Sequence, residues 1–331
     1  MNRRTFISAG AVAALAGGVR LRAAGAKSPA PLEKISLRFN WFWVGGCAPV
    51  VGGRDRGFYR DTGIDLTVGQ GKGSGATVRQ LGAKNDDFVW ADTSALVVAA
   101  AQGVPVRAVM VMAKSNLGVQ WLEDRTLVRT IHDLIGRKVS ATPGDGNTQL
   151  WPAVLAANGL KPSAIELVFL DSNAALAALR AGRIDASFCG VSDQPVTLRT
   201  AGLKAKFLTF AEMGVPTLGQ GVFTHVDTIR DNPGLVRRVV AATQRSWQAA
   251  LQDPGSAVDA LVRYAETPVN PAVLRGGLEV FQGLATRTNP IGFIDSTAMQ
   301  QTLDVLKQHG GVKTDLPASA FYTNEFSGAP A

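Results

Sequence analysis

The chain has 331 residues, 46% hydrophobic and 18% charged, with a formal net charge of +8. That is enough apolar material for one large core or two smaller ones, yet it contains no run of about 18 strongly apolar residues that would cross a membrane as a helix. The two cysteines, Cys47 and Cys189, form one bridge at most, which excludes a disulfide scaffold.

The first segment, "MNRRTFISAGAVAALAGGVRLRAAGA", has a basic start, a mild apolar centre and an end of small residues. This is the anatomy of a secretory signal rather than of a folded element. Arg3 and Arg4 before Phe6 and Ile7 are similar to a twin-arginine export signal, and cleavage is expected after Ala26. Residues 1–26 carry four arginines and no acid, so the mature net charge falls from +8 to +4. So small an excess, with no basic cluster interleaved with aromatics, predicts no nucleic-acid partner.

From Ile35 to Val111 short β-rich runs, "KISLRF", "IDLTV", "DFVWA" and "VRAVMVM", alternate with helical segments. This order predicts βα units around a mainly parallel sheet. A second series starts near Arg125 with the strands "KVSAT", "IELVFLD" and "DASFCG", and "KAKFLTF" and "GVFTHV" read as the last strands. Beyond Asp231 four long helical patterns follow. Without a long Pro/Ser linker between the two series, the expected fold is α/β, two lobes with a cleft between them.

In open α/β sheets ligands lie beyond the carboxyl ends of the strands, so those segments hold the candidate residues. After the first strand comes "NWFWVGGCAP", with Asn40, Trp41, Trp43 and Cys47, where Phe42 is expected in the core and Pro49 opens the next helix. "GQGKGSGAT" brings Ser74 to a glycine-rich helix start without the spacing of a phosphate-binding Walker loop. Asp92, Thr93 and Ser94 follow "DFVWA" and either cap the next helix or face the cleft, while Trp90 reads as core. In the second series Asn147 and Thr148 lie in "TPGDGNTQLW", where Asp145 disfavours an anionic ligand. Asp193 either accepts a hydrogen bond from a ligand amino group or caps the helix near Pro195, and Gln220 lies on the return crossing. The three histidines are far apart and no nucleophile elbow or zinc spacing occurs, so neither catalysis nor a metal or other cofactor is expected.

The stretches "NWFWVGGCAPVVGGRDRGFYRDTGIDLTV", "GKGSGATVRQLGAKNDDFVWADTSALVVAAAQGVPVRAV", "IHDLIGRKVSATPGDGNTQLWPAVLAANGLKPSAIELV" and "NAALAALRAGRIDASFCG" together resemble the substrate-binding proteins of ABC importers. The family in question joins sulfonate and taurine binders to pyrimidine-binding proteins related to fungal thiamine-pyrimidine synthase. The resemblance implies a type II periplasmic binding fold in which the first lobe (33–122) is interrupted by the second (123–219) and completed by 220–331. It also implies a monomeric periplasmic protein, not integral to the membrane, that traps a small molecule by hinge closure and delivers it to a permease and an ATPase. "FNWFWVGGCAP" is similar to the pyrimidine branch, which implies pocket roles for Asn40 and Trp41 and a flat heteroaromatic ligand. The sulfonate branch, with "GSGAT" and "GNT" as anion holders, is the alternative. The synthase branch uses a histidine, a lysine and a cysteine-rich motif, and this chain has no histidine before His132 and no such motif. An interlobe disulfide between Cys47 and Cys189 is a further reading of their places at strand ends.

Overall fold

A computed structural model describes residues 31–328, and the expected export signal lies outside the described residues. The first sheet is built from β1 (Glu33–Phe39), β2 (Ile64–Gly69), β3 (Phe88–Asp92) and β4 (Val106–Val111). The second contains β5 (Leu117–Leu122), β6 (Lys138–Ala141), β7 (Glu166–Phe169), β8 (Ala186–Gly190) and β9 (Ala205–Thr209), after which β10 (Gln220–His225) returns to the first. The strand orders are β2-β1-β3-β10-β4 and β7-β6-β8-β5-β9.

In each sheet four strands share one direction and one runs against them. β10 is antiparallel to β3 and β4, and β5 is antiparallel to β8 and β9. The reason is where the chain crosses. Residues 113–116 and 217–219 pass between the sheets side by side, with Gly219 N donating to Ala113 O at 2.8 Å and Ser115 N to Thr217 O at 3.0 Å. The strand leaving each crossing begins at the carboxyl edge of its new sheet and must run backwards through it. Gly219 is required there, because a Cβ would lie 2.4 Å from the Lys114 carbonyl oxygen.

Between the strands lie α1 (Ala48–Asp55), α2 (Ser74–Gly82), α3 (Thr93–Ala101), α4 (Gly146–Ala157), α5 (Ser172–Arg180) and α6 (Gln194–Thr200). The tail adds α7 (Val226–Asp231), α8 (Pro233–Gln252), α9 (Pro254–Tyr264), α10 (Pro271–Leu284) and α11 (Ser296–Gln308). Proline enters the first turn of α8, α9 and α10, where its missing N–H costs nothing. One core packs α1, α8, α9 and α10 on one face of the first sheet. Another continues from α2 and α3 through α11 to α4 and the second sheet.

One strand escapes the sequence pattern. "LGVQWL" is buried at every position of β5, so it shows no alternation, and no breaker separates it from β4. Reading 33–122 as one lobe places it in the first sheet, but it hydrogen-bonds into the second.

The loop after β1 is held by a short 3-10 turn, Gly45–Cys47, pressed against α10. A Cβ on Gly45 would lie 2.1 Å from Leu278 N and 2.3 Å from Leu274 O, both backbone atoms that cannot swing away. Gly45→Ala is expected to destabilise the protein by about 1–3 kcal/mol or more through overpacking. Gly283→Ala, at a helical position with nothing within 4 Å of the new methyl, should instead stabilise by roughly 0.5–1 kcal/mol. Urea denaturation of the two variants checks both signs.

Candidate functional site

The carboxyl ends of both sheets face one another across a cavity of about 60 Å³, where a single water needs roughly 10–15 Å³ on the same measure. Its walls come from the loops after β1, β2 and β3 on one side and from β5, β6, β8 and the starts of α4, α5 and α6 on the other. Such a space suits a compact ligand.

Asn40 and Trp41 reach the wall because their loop is tied to the one after β2. Gly73 N donates to Asn40 O at 2.7 Å, and Gly71 N to Trp41 O at 3.4 Å. Asn40 Nδ2 donates to Ser74 Oγ at 2.8 Å, and Ser74 Oγ donates to Asp92 Oδ2 at 2.6 Å. The other carboxylate oxygen of Asp92, Oδ1, is buried and has no partner. Gln220 also lines the cavity, its Oε1 accepting from Trp90 Nε1 at 3.0 Å. Trp90 itself is core, stacked on Trp247 at 5.8 Å, so a buried indole positions a cavity side chain.

Caps elsewhere in the chain show what is unusual here. Asp171 and Asp295 close the first turns of α5 and α11 with their side chains, accepting from Ala174 N at 2.9 Å and Ala298 N at 2.8 Å. Asp92 and Asp193 occupy the same position before α3 and α6, yet neither side chain makes a capping bond. Both line the cavity instead. Asp145 does both, capping Thr148 N at 2.7 Å while lining the wall. Among the described residues three carboxyl groups and no lysine, arginine or histidine line this cavity.

Burial dominates their titration, because desolvation penalises the charged form. It pushes Asp92 up to about 6, with the Ser74 hydroxyl opposing and Asp145 adding to the rise. It pushes Asp193 up to about 7, partly offset by the Trp41 indole N–H reaching across from the other lobe. Asp145 is raised by burial as well, against the bonds it accepts from Thr148 and Asn147.

The remaining expected residues are placed elsewhere. Trp43 packs edge-on against Phe39 and Tyr264, at 5.9 and 5.7 Å, and belongs to the first core. Phe42, expected inside, is 52% exposed. Thr93 is buried and donates its hydroxyl to Gly219 O at 2.6 Å, holding the crossing and not the cavity wall. The Thr148 hydroxyl bonds to Thr142 O at 2.7 Å and does not reach the cavity. Cys47 is buried and takes no part in the cavity wall, its thiol pushed up to about 12 by burial, and Cys189 lines the wall as a second free buried thiol. No interlobe disulfide forms between them. Cavity residues not expected from the sequence include Asn116, Ser140, Ser172, Ser187 and Gln194. Ser140 and Ser187 were detectable as lone hydroxyls inside apolar strands.

The raised carboxyl groups set a pH dependence. Folded pKa values near 6 and 7 lie above the ordinary 3.8, so between these limits the folded protein binds more protons than the unfolded chain. Stability therefore falls as pH rises from about 4 towards 7, by an amount on the order of a few kcal/mol. Asp193→Asn should flatten this slope and raise the melting temperature at pH 8 while changing it little at pH 4. Calorimetric scans of both proteins across pH 4–8 test this, and an unchanged slope in the variant would refute the assignment.

A curated relative, the riboflavin-binding protein RibY of Chloroflexus aurantiacus, is 22% identical over 322 residues, covering 92% of this chain and 90% of its own. The taurine-binding periplasmic protein of Escherichia coli is 25% identical over 273 residues, covering 78% and 82%. Among solved structures, the alkanesulfonate-binding protein SsuA of Xanthomonas axonopodis pv. citri bound to MOPS superposes with a TM-score of 0.69 at 17% identity, covering 89% of this chain and 99% of that one. That likeness agrees with the two-lobed type II fold. The NMT1/THI5 like family model matches residues 46–257, well over half of the sequence, and the chain belongs to that family.

Proposed function

We propose that this protein is the periplasmic solute-binding component of an ABC importer, and that it captures a compact, neutral or cationic heteroaromatic molecule bearing hydrogen-bond donors. The coarse part of this reading rests on family membership and on relatives named as riboflavin- and taurine-binding proteins. In this reading the chain is exported by its twin-arginine segment and works as a monomer with a membrane permease and an ATPase. The two lobes close about the ribbon formed by residues 113–116 and 217–219.

One observation carries the ligand class: the cavity has three carboxyl groups, one with an unpartnered oxygen, and no basic side chain among the described residues. Helix starts ordinarily favour anions, but here the starts of α3, α4 and α6 already carry Asp92, Asp145 and Asp193. A sulfonate approaching these helix starts would meet like charge from the carboxylates beside them. A ring amine or amidinium would supply the missing donor to Asp92. Trp41 offers an aromatic face, and stacking of a base on such a face is worth roughly 1–3 kcal/mol. A synthase-type reaction finds no histidine or lysine in the cavity wall among the described residues, and it is not adopted.

A thermal-shift screen of the mature protein against aminopyrimidines, flavins, protonated amines and sulfonates tests the proposal, and a response to sulfonates alone would overturn it. For a ligand found in this way, Trp41→Ala should weaken binding roughly tenfold or more. Phe58→Ala, whose ring lies under the Arg245 guanidinium at 4.1 Å and outside the cavity wall, should change it less than about twofold by the same reasoning. Asp92→Asn keeps the shape and removes the charge, so it should weaken a protonated ligand about tenfold or more while leaving an uncharged analogue nearly unaffected. Calorimetric titration separates these outcomes.

A further inference from the structure

The cavity wall leads to polar groups that have no part in the ligand contacts proposed so far. Ser140 of β6 pairs with Ser187 of β8, and Ser187 pairs with Gln120 of β5. Directly opposed residues in a sheet point to the same face, so these three side chains form one row across three neighbouring strands. Strands lie about 4.8 Å apart, so the row is roughly 10 Å long. Ser140 and Ser187 line the cavity, and Gln120 is next along the same face.

The row is buried and under-used. Gln120 is 0% exposed, and neither its amide oxygen nor its amide nitrogen has a partner. Ser140 Oγ is also buried and unpartnered, while Ser187 spends its proton on the Phe188 carbonyl at 2.9 Å and keeps its lone pairs. Buried amides and hydroxyls are ordinarily satisfied, because leaving them unmade forfeits their hydration. The other side chains of "LGVQWL" are apolar apart from the Trp121 indole N–H, which, one residue along the strand, points to the opposite face of the sheet. An aliphatic residue would pack at position 120 without that loss.

We propose that this row is the inner end of the binding cavity, and that it takes an uncharged group of the ligand that both donates and accepts, such as a carboxamide, a ring amide or an alcohol. The inference rests on the compact, donor-bearing ring assigned above and adds its polarity. The ligand places its donors or positive charge at Asp92, Asp145 and Asp193, and its neutral polar group along Ser140, Ser187 and Gln120. The primary amide of Gln120 presents one donor face and one acceptor face, which is the complement of another amide. A row with no carboxylate and no base discriminates by hydrogen-bond pattern and not by charge.

The test uses two probes, 4-aminopyrimidine and 4-aminopyrimidine-5-carboxamide, titrated calorimetrically into the mature protein and into its Gln120→Leu and Ser140→Ala variants. The carboxamide is expected to bind at least about tenfold more tightly than the parent ring to the wild type, and this advantage should fall below about twofold in each variant. No advantage in the wild type, or an advantage that survives in both variants, overturns the inner site. If neither probe binds, the donor-bearing ring reading has failed, and ligand-free melting decides the inner end separately. An amide kept for a ligand should be replaceable by leucine with an unchanged or raised melting temperature. A fall of more than about 5 °C in Gln120→Leu would assign the amide to holding the fold and overturn the proposal.

Discussion

The two crossings between the lobes are the constraint on which the rest of the molecule depends. They lie together as an antiparallel ribbon, and Gly219 is there because the Lys114 carbonyl leaves no room for a side chain. The ribbon meets both sheets at their carboxyl edges. It forces β5 and β10 to run against their neighbours and turns the ends of the remaining strands towards one space. The side chains of that space therefore come from loops far apart in sequence, each placed by a strand end and a helix start. Even Thr93 serves this geometry, since its hydroxyl holds Gly219 and not the cavity.

What the crossing brings together is an unbalanced set of charges. A carboxylate at a helix start is ordinarily a cap, content beside free N–H groups and water. Asp92 and Asp193 hold cap positions but turn inward, and closure of the wall around them removes the water without adding a base. The protein thus carries a desolvation cost in its own binding space, one that a donor-bearing or cationic ligand would relieve. This is the usual relation between a functional site and stability: groups that serve binding are held where the fold alone would not put them. The indole of Trp41 facing Asp193 from the opposite lobe links the aromatic wall to this charge balance.

Much of the architecture was legible in the sequence, because βα alternation and helix caps are local signals. "KISLRF", "IDLTV" and "DFVWA" became β1, β2 and β3, and Pro49 stands in the first turn of α1. Asn40, Trp41, Ser74, Asp92, Asn147, Asp193 and Gln220 were reachable from their places beside strand ends, and all of them line the cavity. β5 was not legible, since a strand buried on both faces has no period to detect. The aromatic loop was legible as a place but not in detail. Trp41, Phe42 and Trp43 are three neighbours of similar size, and composition could not tell which faces the cavity, which solvent and which the core.

The sequence by itself determined the order of the elements other than β5, and most of the loops that border the cleft, because each depends on residues within a few positions of one another. The tertiary structure alone decided which side chains turn inward. Trp43 is claimed by Phe39 and Tyr264, and Tyr264 lies more than two hundred residues further along the chain. It also decided the charge of the site. In the sequence Asp92 and Asp193 stand between two readings, helix cap or cleft residue, and Asp145 is a charge beside a glycine-rich turn; only when two lobes, folded from distant stretches, close around all three is the water excluded that would have kept them ordinary.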